Sequence, residues 1–65
     1  MKHLSIKTIY SFLESVGCTE YKINIDTPKD SDIIYDVYII EKDISLRLKA
    51  SEPSESMIQL AFIFL

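Results

Sequence analysis

The hydrophobic period of this chain changes near Gly17, from about 3.6 residues to about two, and this change predicts a helix followed by strands. Between Ile6 and Val16 the apolar side chains recur three and four positions apart, with polar residues between them. That spacing is typical of an amphipathic helix with one buried stripe. From Glu20 onward, apolar and polar residues alternate, which is typical of strands that bury one face.

Local signals mark both ends of the predicted helix. Ser5 is suited to the N-cap position, and Leu4 and Ile9 stand at the two positions of a hydrophobic staple. Gly17 can adopt the left-handed conformation that commonly follows a helix. We therefore expect the helix to lie between Ser5 and Gly17.

Short polar segments divide the rest of the chain into four predicted strands, which are Glu20–Asp26, Ile33–Ile40, Ile44–Ala50 and Met57–Leu65. Pro, Asp and Ser in the intervening segments favour turns and cannot extend a strand ladder well. The expected fold class is α+β, with one N-terminal amphipathic helix packed on a mostly antiparallel four-stranded sheet, in the order α-β-β-β-β. Residues 1–65 fit one small domain. Because the chain stops inside an apolar strand, truncation at the C-terminus is left open.

Charge distribution assigns the two faces of the second and third strands. The odd positions of the second strand carry no charge, whereas the even positions include Asp36, so the odd positions should face the helix. The third strand offers its even positions to the core, and a shift by one residue would reverse both faces. Two registers satisfy this parity, and they place Asp36 opposite either Arg47 or Lys49. Either register gives a favourable cross-strand charge pair.

Overall charge and cysteine content narrow the classes of protein. Ten acidic against seven basic residues give a net charge of −3, which disfavours direct binding to nucleic acid. Cys18 is the only cysteine, so no intramolecular disulfide can form, and an intracellular compartment is favoured. No apolar run approaches the roughly 20 residues of a membrane-spanning helix. We expect a soluble, cytoplasmic protein without a signal peptide or membrane contact.

The sequence has few residues of the types that act in catalysis or bind metals, and none of them stands in a recognised catalytic or metal-binding motif. Cys18 follows the negative end of the helix dipole, which disfavours a thiolate, and His3 lies in a terminal stretch. Asp26, Asp30 and Asp32 lie close together but lack the glycine and the terminal glutamate of a calcium-binding loop. No glycine-rich phosphate loop is present. The sequence therefore predicts no catalytic residue, no metal site and no cofactor.

The predicted fourth strand is apolar at nearly every position, and this makes it the centre of the expected interface. Natural edge strands are usually protected by charges, proline or bulges, and this segment has none of them after Met57. In a strand, Ile58, Leu60, Phe62 and Phe64 would point to the core. The residues with the opposite orientation would join the outer face of the sheet. The predicted protein-binding surface comprises Ile34, Asp36, Tyr38, Ile40, Arg47, Ala61, Ile63 and Leu65.

These expectations favour a non-catalytic protein-interaction module, such as an adaptor, a chaperone-like subunit or an inhibitor encoded by a mobile element. The expected partner is another protein or a second copy in a homodimer. An alternative is an acidic decoy that blocks a nucleic-acid-binding site on a partner protein. That alternative rests on the carboxylates in the middle of the chain, namely Glu20, Asp26, Asp30, Asp32, Asp36, Glu41 and Asp43.

The order of one amphipathic helix and then a curved sheet loosely resembles small bacterial YbjN-like domains and type III secretion chaperone domains. The segment from Ile6 to Gly17, a helix that closes on glycine, carries this resemblance. The resemblance concerns the order of elements and includes no signature motif. We therefore assign no family from the sequence.

Overall fold

The chain folds into two helices and a three-stranded antiparallel sheet, and the computed structural model describes residues 3–28 and 32–65. The elements are α1 (Ile6–Ser15), β1 (Tyr21–Asp26), β2 (Ile34–Ile39), a 3-10 turn (Ile40–Lys42), β3 (Ile44–Lys49) and α2 (Pro53–Phe62). The strand order is β1-β2-β3, so β2 lies in the centre. Within the described ranges, neither helix has the length and apolar character needed to cross a membrane.

Helix α1 begins and ends as its sequence predicts. The hydroxyl oxygen of Ser5 accepts a hydrogen bond from the Thr8 N–H at 3.4 Å, as an N-cap does. Leu4 and Ile9, the two staple positions, are both buried in the core. Gly17 has a φ of +76°, which is the left-handed conformation expected after a helix.

The register between β2 and β3 is one of the two that the charge pattern allows. Asp36 lies opposite Arg47, and the Arg47 Nη1 donates to Asp36 Oδ1 at 3.0 Å. Tyr35, Val37 and Ile39 are buried on the side of the sheet that holds the core. The predicted faces of β2 are therefore confirmed.

The prediction of a fourth strand is wrong, because residues 53–62 form the helix α2. The α+β class holds, but the sheet has three strands and the element order ends on a helix. Pro53 occupies the first helical turn, where its fixed φ is favourable, and Glu55 complements the positive end of the helix dipole there. The following residues are apolar at nearly every position, so their pattern did not distinguish a period of two from one of 3.6.

Helix α2 packs on the same side of the sheet as α1. Leu60 is fully buried and belongs to the core cluster that contains Leu13 and Leu48. The buried hydroxyl of Ser56 donates to the Lys49 carbonyl at 2.9 Å and ties α2 to the end of β3. Beyond α2, the Phe64 ring lies edge-on against the Phe12 ring of α1, with ring centres 5.8 Å apart. Both helices thus cover one face and leave the other face free of helices.

Two isoleucines predicted to face the core are exposed instead. Ile25 is 56% exposed near the end of the edge strand β1, and Ile33, which is 40% exposed, precedes β2. The other predicted core positions of β1, β2 and β3 are buried or half-buried, whereas Ile58 and Phe62, predicted to point to the core from a fourth strand, are exposed on α2. The two helices therefore do not cover this end of the sheet.

Replacing Leu60 by Ala should lower the free energy of unfolding by about 2–5 kcal/mol, because it leaves a cavity in the core. The matched change Ile58→Ala, in the same helix but 67% exposed, should cost less than about 0.5 kcal/mol. Denaturant unfolding followed by circular dichroism measures both losses. In a strand, the two residues would share one face, so losses of similar size would contradict the helix.

Candidate functional site

The face of the sheet opposite the helices, here called the outer sheet face, is an array of mostly polar side chains. Its members are Lys22, Asn24 and Asp26 from β1, Ile34, Asp36 and Tyr38 from β2, and Ser45, Arg47 and Lys49 from β3. A shallow concavity of about 540 Å³ lies over the middle of this face. The outer sheet face therefore offers hydrogen-bonding groups and charges of both signs to a ligand.

Arg47 organises the charges of the outer sheet face. Its Nη1 contacts both carboxylate oxygens of Asp36, at 3.0 and 3.3 Å, and its Nη2 lies 3.4 Å from Asp26 Oδ2. The Arg47 side chain is 61% exposed, so water screens these ion pairs and each contributes less than about 1 kcal/mol. The contacts orient the three side chains more than they stabilise the fold.

Tyr38 is held by the turn that precedes β3. Its hydroxyl donates to Asp43 Oδ1 at 2.7 Å. This hydrogen bond, together with the negative charge of Asp43, raises the pKa of Tyr38 above its ordinary value. Asp43 has a φ of 54°, a left-handed conformation that Asp tolerates better than most residues. The phenol is therefore kept protonated at one corner of the outer sheet face.

The suspected cation ligands have other roles in the structure. Asp32 accepts hydrogen bonds from the backbone N–H groups of Ile33 and Ser51, both at 2.8 Å, and joins the start of β2 to the turn after β3. Hydrogen bonds from Ser51, and then that from Ile33, lower the pKa of Asp32. Asp26 belongs to the ion pairs of the outer sheet face, and Asp30 lies outside the described residues. Within the described ranges, no group of three His, Cys, Asp or Glu side chains is placed to hold a metal ion.

Cys18 and His3 occupy very different surroundings. Cys18 is 3% exposed and belongs to the core cluster. Burial, reinforced by the negative charge of Glu41, raises the pKa of the Cys18 thiol, so the reactive thiolate is disfavoured. His3 is exposed near the N-terminus. The setting of Cys18 is that of a small packed side chain.

The structure brings only part of the predicted protein-binding surface together. Ile34, Asp36, Tyr38 and Arg47 lie on the outer sheet face, but Ile34 is buried there. Ile40 is 39% exposed but lies in the 3-10 turn, beyond the end of β2. The C-terminal members, Ala61, Ile63 and Leu65, do not join that face, because α2 packs on the opposite side of the sheet. The single apolar patch expected from a fourth strand is therefore not formed.

The most exposed apolar side chains of the described residues belong to α2 and to the residues that follow it. Ile58, Phe62 and Leu65 are 67%, 70% and 97% exposed. Ile58, Phe62 and the half-buried Ala61 follow the i, i+3, i+4 spacing of one helix face, and Leu65 lies three residues beyond the end of α2. We call these four residues the α2 stripe. The sequence analysis did not predict this surface, because it assigned these residues to a strand. Pro53 and Glu55 mark the start of a helix, and the helical spacing of the apolar residues after them would then have identified the exposed side of α2.

Comparisons of the chain with protein-family models, with curated proteins and with solved structures found no match. The candidate surfaces therefore rest on the residues and on the geometry described above.

Removal of the Tyr38–Asp43 hydrogen bond should change the pH titration of Tyr38. Replacing Asp43 by Gly suits the φ of 54° and should lower the pKa of Tyr38 towards its ordinary value of 10.0, because the acceptor and its charge are removed. In the parent protein the hydrogen bond stabilises the fold fully below the ordinary pKa, and this contribution is lost as the pH rises through the raised pKa. NMR titration of the Tyr38 ring measures the shift. An unchanged pKa would show that the hydrogen bond does not form in solution.

Proposed function

We propose that the domain is a small, non-catalytic protein-interaction module that binds its partner through the α2 stripe. The observation that carries the proposal is the exposure of two large apolar side chains, Ile58 and Phe62, on one face of α2, followed by the exposed Leu65. A surface helix normally presents polar residues on the side away from the core. Contiguous exposed apolar side chains are typical of surfaces that bind another protein.

Helix α2 has apolar side chains on two opposite sides. This pattern is typical of a helix that is buried on both of those sides. Leu60 and the half-buried Met57 face the domain, whereas the α2 stripe faces away from it. Burying a side chain as large as Phe62 contributes about 1.5–3 kcal/mol, so a partner that covers the stripe gains a substantial part of its binding free energy there. The stripe is thus suited to be the central, desolvated part of an interface.

The scarcity of charged residues along this segment supports a protein partner. Glu55 is the only charged residue from Pro53 to Leu65, and it lies in the first turn of α2. The core of a protein interface is depleted of charged residues, because burying them unpaired is costly. A nucleic-acid surface would instead need cations to contact phosphates. The spacing of the stripe is that of a helix that inserts its apolar face into a hydrophobic groove, with Phe62 as the aromatic anchor.

Four of the seven carboxylates on which the acidic decoy rests are engaged within the domain. Asp26 and Asp36 are paired with Arg47, and Asp43 accepts a hydrogen bond from Tyr38. Asp32 is engaged by backbone N–H groups. These carboxylates interact with groups of their own domain, whereas a decoy needs them spaced and available to a basic partner.

The change Phe62→Lys should reduce partner binding by at least about 30-fold, because it places a charge where the aromatic anchor is buried. Lys near the end of a helix complements the dipole, so the fold should be retained. The matched control is Ile25→Lys, which makes the same charge change at another exposed apolar side chain on an edge strand. Quantitative affinity capture with mass spectrometry, after circular dichroism of both variants, compares their bound proteins. A partner recovered equally with Phe62→Lys and with the parent protein would contradict this use of the α2 stripe.

A further inference from the structure

We infer that the open edge of β1 pairs with β1 of a second copy of this chain, antiparallel and about a two-fold axis that passes between the two Asn24 residues. This surface is separate from the α2 stripe, so the inference goes beyond the proposed function. It follows from the direction of the backbone groups of β1 and from the positions of its charged side chains.

Strand β1 forms one edge of the sheet, and its ladder with β2 determines which of its backbone groups face outward. The Ile40 N–H donates to the Glu20 carbonyl at 3.0 Å, and this pair continues the register of β1 with β2. Hydrogen-bonded and non-hydrogen-bonded pairs alternate along an antiparallel ladder. The even-numbered residues of β1 therefore bond to β2. The N–H and C=O groups of the odd-numbered residues, Tyr21, Ile23 and Ile25, point to the open side.

The opposite edge of the sheet, on β3, is partly occupied by the chain itself. The Lys49 carbonyl accepts hydrogen bonds from the Ser56 hydroxyl at 2.9 Å and from the Glu52 N–H at 3.2 Å. In the part of the chain that the structure describes, no other segment bonds to the outward backbone groups of β1. Strand β1 is therefore the edge that can accept a further strand.

The protection that edge strands usually carry is incomplete in β1. Its six residues include no proline, and its register with β2 is continuous, without a bulge. Lys22 is a residue type that normally discourages pairing at an edge. Asp26, however, lies four positions later on the same face. A neighbouring strand that presents an acid to Lys22 and a base to Asp26 is therefore favoured.

An antiparallel second copy of β1 presents its charges in that order. The odd-numbered residues carry the outward groups, so they must lie opposite odd-numbered residues of the second copy. When Asn24 lies opposite Asn24, Lys22 of each copy faces Asp26 of the other. Ile23 of each copy then faces Ile25 of the other and exchanges backbone hydrogen bonds with it. Opposite charges directly across two strands favour such a register.

The neighbouring registers lose these charge pairs. Centring the pair of strands on Ile23 would place Glu20 opposite Asp26, and like charges in this position are destabilising. Centring it on Ile25 would place Asp26 opposite Asn24. The charges of β1 thus complement β1 itself in one register, and this self-complementarity identifies a second copy as the occupant. A strand of another protein would need a base followed four residues later by an acid.

The same register covers the exposed apolar side chain at this edge. Ile25 is 56% exposed, and the two helices do not cover it. The two-fold axis is perpendicular to the sheet, so both copies keep their helices on the same side. Ile25 of each copy then packs beside the half-buried Ile23 of the other. An apolar cross-strand pair of this kind stabilises a sheet.

The first experiment measures the molecular mass as a function of protein concentration by sedimentation equilibrium. Two six-residue strands bury little area, so the dimer belongs to the weak class, and the mass should rise from 7.5 kDa towards twice that value between about 5 and 500 μM. Ile25→Lys should weaken the association at least about tenfold, because it places a charge opposite an apolar side chain. Association unchanged in Ile25→Lys would overturn the inference.

The second experiment tests the register through disulfide formation, with Cys18 replaced by Ala throughout. In the inferred pair, the two Asn24 residues form a non-hydrogen-bonded pair with Cα atoms about 4.5 Å apart, which suits a disulfide. The matched control is Lys22→Cys, on the same face of the same strand. The two copies of residue 22 lie four residues apart along the strands, or about 13 Å, which is too far for a disulfide.

Mild oxidation should therefore give at least about tenfold more cross-linked dimer from Asn24→Cys than from Lys22→Cys, measured by mass spectrometry. Equal cross-linking of the two variants would overturn the register. In an equal mixture, a heterodimer of the two variants that exceeds the Asn24→Cys homodimer would indicate strands centred on Ile23, and it would also contradict the inferred pair.

These variants separate the second copy from the partner of the α2 stripe. Phe62→Lys should keep the dimer and lose the captured protein, whereas Ile25→Lys should weaken the dimer and keep the captured protein. A dimer lost in Phe62→Lys and kept in Ile25→Lys would place the interface at α2 and refute the pairing of β1. A parent protein that stays monomeric to about 500 μM would refute the second copy and leave the proposed function standing.

Discussion

The burial of Leu60 against the helix-covered face of the sheet is the contact on which the rest of the structure depends. A 65-residue chain has little core to share, and α1 alone does not cover a three-stranded sheet. Leu60 joins Leu13 and Leu48 in the core, and the Ser56 hydroxyl fixes α2 to the end of β3. Once Leu60 points inward, the helical period turns Ile58 outward. The same contact that completes the core therefore creates the exposed apolar stripe.

The first two thirds of the fold were predictable because their sequence signals are local and agree with one another. Ser5 and Gly17 mark the ends of α1, and the position of Asp36 in an otherwise apolar strand determines both faces of β2. The C-terminal helix was not predicted, because a run that is apolar at nearly every position fits either period. Pro53 and Glu55 carry the signal for a helix start, but they stand in a polar segment that also resembles a turn.

The residues of the outer sheet face were predictable because the strands that carry them were predicted, whereas the α2 stripe was not. Parity placed Asp36 on the outer sheet face opposite either Arg47 or Lys49, and the structure shows the ion pair with Arg47. The addition of Ala61, Ile63 and Leu65 to that face depended on a period of two, and it failed with the fourth strand. The consequence is a separation of two surfaces. The outer sheet face is polar, and Arg47 pairs with both of its carboxylates, whereas the α2 stripe is apolar, uncharged and on the other side of the sheet.

Solvent relaxation enhancement of methyl NMR signals, with a soluble gadolinium chelate, tests most directly whether α2 is a helix with one side in the core and the other available to a partner. At low protein concentration, the methyl groups of Ile58 and Leu65 should relax as strongly as those of Ile25, while those of Leu60 should be protected. Equal protection of Ile58 and Leu60 at low concentration would contradict a helix that buries Leu60 and exposes Ile58.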